Sequence, residues 1–300
     1  MAAMPGNTLP GCGSRAGTAK RNRKRMAEVA AIYSVAPFPR TVMDVVHDLR
    51  PVQSTSKQRS KPVNKQVSAS VELDAESVIR QKFEEALRRD PQQQRQWVAL
   101  VDGNKDQIKL IRKVAKKLGI QIRLVLDLMH VLEYLWKAAY CFAADGTKEA
   151  EAWVEQRLIG LLQGQSAGYL AKGMRRNADQ RGLSKDKRKA VDDCARYLVN
   201  NRKLLHYDQA LSDGLPIATG VIEGACRYIV RDRMSVPGEW SLAGAEAVLR
   251  LRALWTNGDF DAYWAFHLER EHERTHRSRY ADAAVPIPVA TRKPPLRRVK

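Results

Sequence analysis

Two apolar runs, each leading to an aspartate, limit most strongly what this chain can fold into. Residues 96–104 have the sequence QWVALVDGN and residues 120–130 the sequence IQIRLVLDLMH, with a basic amphipathic stretch over 107–119 between them. A continuous apolar run is typical of a strand buried on both faces of a sheet. A strand, a helix stopped by Gly119 and a second strand, joined by short connections, form a right-handed parallel unit. We therefore predict an α/β core.

The flanking segments predict further elements and a division of the chain into parts. Alternating residues predict strands over 25–37 and 67–73, with a polar basic loop over 51–66. A helix over 76–90 is expected to be capped by Asp74 or Ser77. The predicted parts are a disordered basic N-terminus (1–22), the first part of the core (23–144), an all-helical insertion (145–213), the core completion with C-terminal helices (214–282) and a flexible basic tail (283–300).

Three helices in the second half have predicted N-caps, and one has a predicted buried face. The caps are Ser184, Ser241 and Asp259. The apolar face of the helix after Ser184 consists of Val191, Cys194, Ala195 and Leu198. Residues 215–234, LPIATGVIEGACRYIVRDRM, are expected to form a small strand or turn followed by a helix.

The charge balance points to a polyanionic partner. Lys and Arg number 52 against 33 Asp and Glu, which gives a formal net charge of +19. A protein this basic usually meets nucleic acid, although a generally basic surface can also serve solubility. The four scattered cysteines have no metal-binding or disulfide spacing and favour a reducing cytoplasm. We find neither a bilayer-length apolar run nor a secretory signal and expect no membrane partner.

Three carboxylates stand beside strand ends or helix starts: Asp102, Asp127 and Glu223. Sites in α/β sheets gather at the C-terminal ends of strands, and carboxylate oxygens are the ligands that Mg²⁺ prefers. Such acids can hold a metal pair for chemistry at a phosphorus atom. His130, three residues after Asp127, could be a metal ligand, a phosphate donor or a core histidine.

Each acid also has a structural interpretation that stays open. Asp102 could make an Asp-Gly turn, Asp127 could cap the following helix, and Glu223 could serve the dipole of its own helix. Arg227 and Arg231 follow Glu223 at helical i+4 steps and so share its face, where they could bind phosphate or remain solvated. Tyr134, Trp136, Tyr140 and Trp153 fall at helical spacings typical of a core, whereas Trp240 and Trp255 could stack on a base.

Several long strings, in order, resemble the ISKra family of bacterial insertion-sequence transposases. They span about residues 19–282 and include RNRKRMAEVAAIY, WVALVDGN, VLDLMHVLEYLWKAA, PIATGVIEGACRYIVRDRM, WSLAGAEAVLRLRAL and FHLEREHERTHRSRY. The resemblance implies a DDE enzyme with an RNase H-like core. Asp102 matches the second aspartate and Glu223 the glutamate of that set. Residues 127–130, DLMH, resemble a supporting [Cys/Asp]-x-x-His motif.

The resemblance also implies a cofactor, partners and activity. Asp102 and Glu223 are expected to hold Mg²⁺ or Mn²⁺, with Asp127 and His130 supporting the site. The expected partners are DNA, as element ends and target, and a second copy or an intact relative, in the cytoplasm at the nucleoid. Trp240 matches a base-stacking tryptophan, but Glu239 stands where relatives have arginine. The expected DNA contacts are Lys105, Lys109, Arg112, Lys113, Arg227, Arg231, Arg233 and Trp240.

The N-terminal part departs from the family. No strand with Asp-Gly precedes RNRKRMAEVAAIY, and neither Asp44 nor Asp48 is a substitute for the first aspartate. We therefore expect an incomplete RNase H-like core, in an N-terminally truncated transposase with reduced or no activity. The alternatives are a non-catalytic DNA-binding remnant that inhibits an intact transposase, and an unrelated nuclease or ribosome-associated basic protein.

Overall fold

A computed structural model describes residues 25–49, 60–235 and 240–280. The predicted disordered N-terminus over 1–22 and the predicted tail over 283–300 lie outside these residues, as does most of the predicted loop over 51–66. Among the described residues, none of the helices has the length and apolar character needed to cross a membrane.

The described residues alternate strands and helices in the first half of the chain and are helical in the second half. The first half contains β1 (Glu28–Ser34), α1 (Val42–Asp48), β2 (Val63–Ser70), α2 (Ala75–Arg89), β3 (Val98–Val101), α3 (Lys105–Lys117), β4 (Arg123–Leu126) and α4 (Leu128–Ala139). The second half contains α5 (Lys148–Leu162), α6 (Ala167–Gln180), α7 (Lys185–Asn200), α8 (Tyr207–Ser212), α9 (Gly220–Ala225), α10 (Asp232–Met234), α11 (Leu242–Asn257) and α12 (Phe260–Thr275). Short 3₁₀ segments lie at Arg202–Leu204 and Arg277–Arg279, and a π-helical segment at Cys226–Arg231.

The four described strands form two separate two-stranded sheets. β1 and β2 are antiparallel, with Glu28 opposite Ser70. β3 and β4 are parallel, with Val101 opposite Leu126. The predicted α/β class and the parallel unit are confirmed, while the finer assignment to an RNase H-like core remains a prediction.

The parallel unit forms where the sequence predicts it, because the residues that begin and end α3 and the apolar face of α3 indicate the same helix. The Asn104 side chain accepts hydrogen bonds from the amides of Asp106 and Gln107 and so begins α3. Gly119 follows the helix with a φ of +65°, a conformation that glycine adopts without strain. The strand expected over 120–130 is shorter than predicted, because Asp127 already caps α4.

The predicted all-helical character of residues 145–213 is confirmed, because the segment contains α5 to α8 and no strand; its place as an insertion in the core stays a prediction. Its predicted face is buried, with Val191, Cys194, Ala195 and Leu198 each at 0% exposure. The segment over 215–219, predicted as a small strand or turn, forms no strand. Ser184 and Asp259 lie at the predicted N-cap positions but make no side-chain cap hydrogen bond, whereas the Ser241 hydroxyl accepts from the Gly244 amide at 3.0 Å. In the first half, β2 begins at Val63, inside the predicted loop, while Asp74 caps α2 as predicted.

Two apolar cores lie within residues 25–253. The larger core joins β3 and β4 to α1–α8. The smaller core packs β1 and β2 against α9 and α11, with Val29, Ile229 and Leu249 at 0% exposure. Residues 254–280 belong to a second compact unit, whose helix α12 has no buried residue. Within that unit, the Trp255, Phe260 and Trp264 rings form a row.

A buried carboxylate, Glu246, connects the two layers of the smaller core. Its oxygens accept hydrogen bonds from the Ser70 hydroxyl at 3.0 Å, the Val71 amide at 2.9 Å and the Arg250 guanidinium at 2.8 Å. Burial alone would raise the pKa of Glu246, but these donors together leave the pKa below its usual value. Glu246 therefore stabilises the contact between β2 and α11 in its ionised form.

We expect Glu246→Ala to lower the free energy of unfolding by about 2–3 kcal/mol, because it leaves buried donors without an acceptor. Since the pKa of Glu246 is lowered in the folded state, this contribution is present above the unfolded pKa and is lost as the pH falls through the folded value. Urea unfolding at pH 7 and at acidic pH measures both effects. The exposed Glu84→Ala is the control, and equal losses in the two variants would contradict this role.

Candidate functional site

The ends of the two parallel strands bring Asp102 and Asp127 side by side. Val101 and Leu126 are paired in the sheet, and each is followed directly by one of these aspartates. The Asp127 amide donates to the Val101 carbonyl at 2.8 Å and continues the ladder by one bond. We call Asp102, Asp127, His130 and Glu223 the strand-end site.

The Asp127 carboxylate is buried and fully engaged by backbone amides. Only 4% of the residue is exposed. Its Oδ1 accepts from the Met129 amide at 2.8 Å, and its Oδ2 accepts from the Thr219 amide at 3.3 Å. Burial raises the pKa of Asp127, and the Glu223 charge raises it further. The two amide hydrogen bonds and the nearby His130 lower this pKa, but burial outweighs them. The interpretation of Asp127 as a helix cap is confirmed.

Asp102 makes a tight Asp-Gly turn and keeps one carboxylate oxygen available. Its Oδ1 accepts from the Asn104 amide at 2.8 Å, and Gly103 has a φ of +94°. Among the described residues, no hydrogen bond is made to Oδ2. The turn interpretation is therefore confirmed, and it leaves room for a ligand at the second oxygen.

The Tyr197 side chain, from α7, stabilises this turn. Its hydroxyl donates to the Asp102 carbonyl at 2.7 Å, and its ring stacks on Tyr134 with centroids 4.0 Å apart. Burial, with an added contribution from the Asp102 charge, raises the pKa of Tyr197. A Cβ atom at Gly103 would lie 3.0 Å from the Tyr197 ring, so the turn needs glycine for space as well as for its φ.

Glu223 lies exposed in the first turn of α9, and its helix is tied to Asp127. Thr219 is the N-cap of α9, and its hydroxyl accepts from the Val221 amide at 3.2 Å. The Thr219 amide binds Asp127, so the start of α9 is held at the end of β4. The Glu223 charge raises the pKa of Asp127 and adds to the burial that raises that of Cys226.

A π-helical segment follows α9 and contains both predicted phosphate-binding arginines, Arg227 and Arg231. The segment Cys226–Arg231 adds one residue to the hydrogen-bonded turn. The predicted shared face of Glu223, Arg227 and Arg231 assumed a regular α-helix throughout, and it stays a prediction. Both arginines are exposed. The Arg252 guanidinium Nε donates to the Tyr228 carbonyl at 2.8 Å, which satisfies a carbonyl of the irregular turn.

The expected metal site stays a prediction. Within residues 25–49, 60–235 and 240–280, no group of three or more His, Cys, Asp or Glu side chains is placed to hold a metal ion. Both Asp127 oxygens already accept backbone amides, and His130 is half-buried. The carboxylates of Asp102 and Glu223 fit a hard cation chemically but do not make a complete two-metal set.

The predicted DNA contacts on α3 differ in how they are engaged. Lys105 and Arg112 are exposed. Lys109 is also exposed, and its Nζ lies 3.4 Å from Oδ1 of Asp106 in the first turn of α3. Lys113 instead pairs with Glu76 of α2 at 2.5 Å and, with Lys117, holds the two helices together. Lys113 therefore has a structural partner that the sequence did not indicate.

Trp240 is half-buried and contacts a second predicted DNA-binding residue. The Arg233 guanidinium lies over its ring, 4.5 Å from the centroid. The base-stacking role of Trp240 stays a prediction. Trp255 is 71% exposed, within the second unit.

Two contributors to the site were missed from the sequence. Thr219 could have been found, because a threonine directly before the helical stretch GVIEG is a typical N-cap. Tyr197 carries no local signal, because its hydrogen bond to Asp102 depends on a partner 95 positions away.

Comparison with known protein-family models, with curated proteins and with solved structures gives no significant match to this chain.

We expect Asp127→Ala to lower the free energy of unfolding by about 2 kcal/mol, since it removes a helix cap and the acceptor of the Thr219 amide. Glu223→Gln should change it by less than about 0.5 kcal/mol, because Glu223 is exposed. Chemical denaturation of both variants measures the difference. Similar stabilities for wild type and Asp127→Ala would remove Asp127 as the junction of β4, α4 and α9.

Proposed function

We propose that this chain is a DNA-binding protein of DDE transposase descent, from a bacterial insertion sequence, with reduced or no cleavage activity. In this proposal Asp102 and Glu223 are the acids that face the phosphodiester, and Asp127 and His130 support them. The observation that carries it is the Asp127 junction. Asp127 follows β4 beside Asp102 and binds the N-cap residue of the helix that bears Glu223.

Exposed cations next to both acids support a nucleic-acid partner. Lys105 and Lys109 begin α3 directly after the Asp102 turn, and Arg227 and Arg231 follow Glu223. Two acids alone would repel a phosphate backbone, whereas flanking cations offset this repulsion and bind the phosphates on either side. The formal charge of +19 adds long-range attraction for DNA.

The metal remains part of the proposal. The Oδ2 of Asp102 and the carboxylate of Glu223 are free to accept Mg²⁺ or Mn²⁺, whereas the Asp127 oxygens are used by backbone amides. We propose that stable metal binding here needs a further oxygen donor, from the DNA phosphate or from another polypeptide segment. When bound, the ion would polarise a phosphoryl oxygen as a Lewis acid.

A second candidate function is a non-catalytic DNA binder that inhibits an intact relative. The observation in its favour is that Asp127, the most buried acid of the strand-end site, acts as a helix cap. Both candidates require DNA binding, and residual metal-dependent cleavage is expected only of the first.

We expect Arg227→Ala and Arg231→Ala each to weaken DNA binding about two- to tenfold, independently of sequence. Each should also reduce the slope of log Kd against log salt by about 1, because one phosphate contact is lost. Fluorescence anisotropy with a labelled duplex at several salt concentrations measures both quantities. Arg196→Ala, which removes an arginine paired with Asp193, is the matched control. Equal slopes for all three variants would contradict a phosphate-binding face beside Glu223.

A second experiment measures cleavage of supercoiled plasmid with Mg²⁺ or Mn²⁺ by the wild type, Asp102→Asn and Glu223→Gln. We expect at most weak nicking, lost in both variants, with DNA binding retained by all three proteins. Undetectable nicking with DNA binding intact favours the inhibitor. Nicking that is unchanged in both variants, or no DNA binding by the wild type, would contradict the proposed function.

A further inference from the structure

β1 and β3 each have a strand partner on one edge only, among the described residues. β1 pairs with β2, and β3 pairs with β4. Edge strands in proteins are normally protected by charge, proline or a bulge. β3 has none of these and consists of VALV, with Ala99 and Val101 at 0% exposure. Its composition and burial are those of a central strand with neighbours on both sides.

Residues of both strands line the same cavity of about 690 Å³. Residues 31–37 form one wall and residues 96–100 another, while Phe83 and Ala86 of α2 contribute a third. The volume lies within the roughly 300–1,000 Å³ typical of pockets that enclose ligands. The cavity is therefore bordered by one strand from each of the two sheets.

A side-chain hydrogen bond crosses between the residues that border this cavity. The Arg95 guanidinium, just before β3, donates to the Ser34 hydroxyl at the end of β1, at 3.0 Å. This contact connects the end of β1 to the residues just before β3, although the two strands belong to separate sheets. An extended segment between them could form backbone hydrogen bonds with both strands.

A buried cation without a partner lies in the cavity wall. Lys82 is only 6% exposed, and no hydrogen bond or ion pair to it is found in the described part of the chain. Burial lowers the pKa of Lys82 to about 8, and the Glu85 charge offsets only part of this effect. The Glu85 oxygens already pair with Arg88 and Arg89. Asp90, which lines the same cavity, is also used, because its oxygens accept from the Gln94 and Arg95 amides and from the Trp97 indole. A buried ammonium group of this kind is stabilised by a carboxylate brought by a ligand.

We propose that this cavity is a strand-binding slot, which takes an extended segment of about five residues from another polypeptide between β1 and β3. The segment carries apolar residues at alternate positions and one carboxylate that reaches Lys82. The sequences over 1–24, 50–59 and 281–300 contain no proline-free run of alternating apolar residues, which a strand with two paired edges requires. The proposal is independent of DNA binding.

The experiment begins with a phage-displayed library of random heptapeptides, selected on the immobilised full chain. The expected enriched peptides lack proline, have apolar residues at alternate positions and contain one Asp or Glu. Selection on Lys82→Met, which replaces the buried ammonium by an apolar group of similar length, should give the same apolar pattern without the acid. No enrichment, or enrichment of proline-rich peptides, would overturn the slot.

The best enriched peptide is then synthesised in two forms, one with ordinary amides and one N-methylated at alternate residues. The unmodified peptide should bind at least tenfold more tightly by fluorescence anisotropy, because the methylated form cannot complete one of the two ladders. Hydrogen exchange in residues 31–35 and 98–100 should slow at least tenfold at saturation. Equal affinities for the two peptides, or protection confined to other segments, would overturn the proposal.

Discussion

The buried carboxylate of Asp127 is the contact on which the arrangement of the strand-end site depends. It caps α4 through the Met129 amide and holds the Thr219 amide, which begins the helix with Glu223. The Leu128 amide reinforces this junction by donating to the Ile217 carbonyl at 2.9 Å. A charge taken out of water is tolerated here because amides from two segments satisfy it. The same use of its oxygens makes Asp127 a positioning residue rather than an open ligand.

The helical insertion stabilises the same strand ends from outside the sheet. The Tyr207 hydroxyl donates to the Leu126 carbonyl, and the Tyr197 hydroxyl donates to the Asp102 carbonyl. Both tyrosines thus satisfy backbone acceptors at the points where β3 and β4 end. Asp102 and Glu223 remain accessible because the structural demands of the junction are met by Asp127 and the tyrosines. This division of roles explains how acidic groups can remain on an otherwise well-packed edge.

Local signals predicted much of this fold, and contacts distant in sequence account for what was missed. The parallel unit, the cap at Asp74 and the buried face with Val191 follow from apolar periodicity and capping chemistry, which act within a few residues. Three features do not follow from local signals, because each depends on tertiary packing: the separation of β1 from β3, the π turn after α9 and the Lys113–Glu76 pair. The acids were found from the sequence. Which of them is a buried helix cap and which are accessible carboxylates depends on residues distant in sequence.

The account rests on the proximity of Asp127 and Glu223, and a carbon-detected NMR titration of the Asp127 carboxyl group measures it directly. The structure predicts that the pKa of Asp127 is raised above the usual value of 3.8 by burial and by the Glu223 charge. In Glu223→Gln the pKa should therefore move down but stay raised, because burial is unchanged. An Asp127 carboxyl group that titrates at its usual value, and does not respond to Glu223→Gln, would contradict the junction on which the proposed site is built.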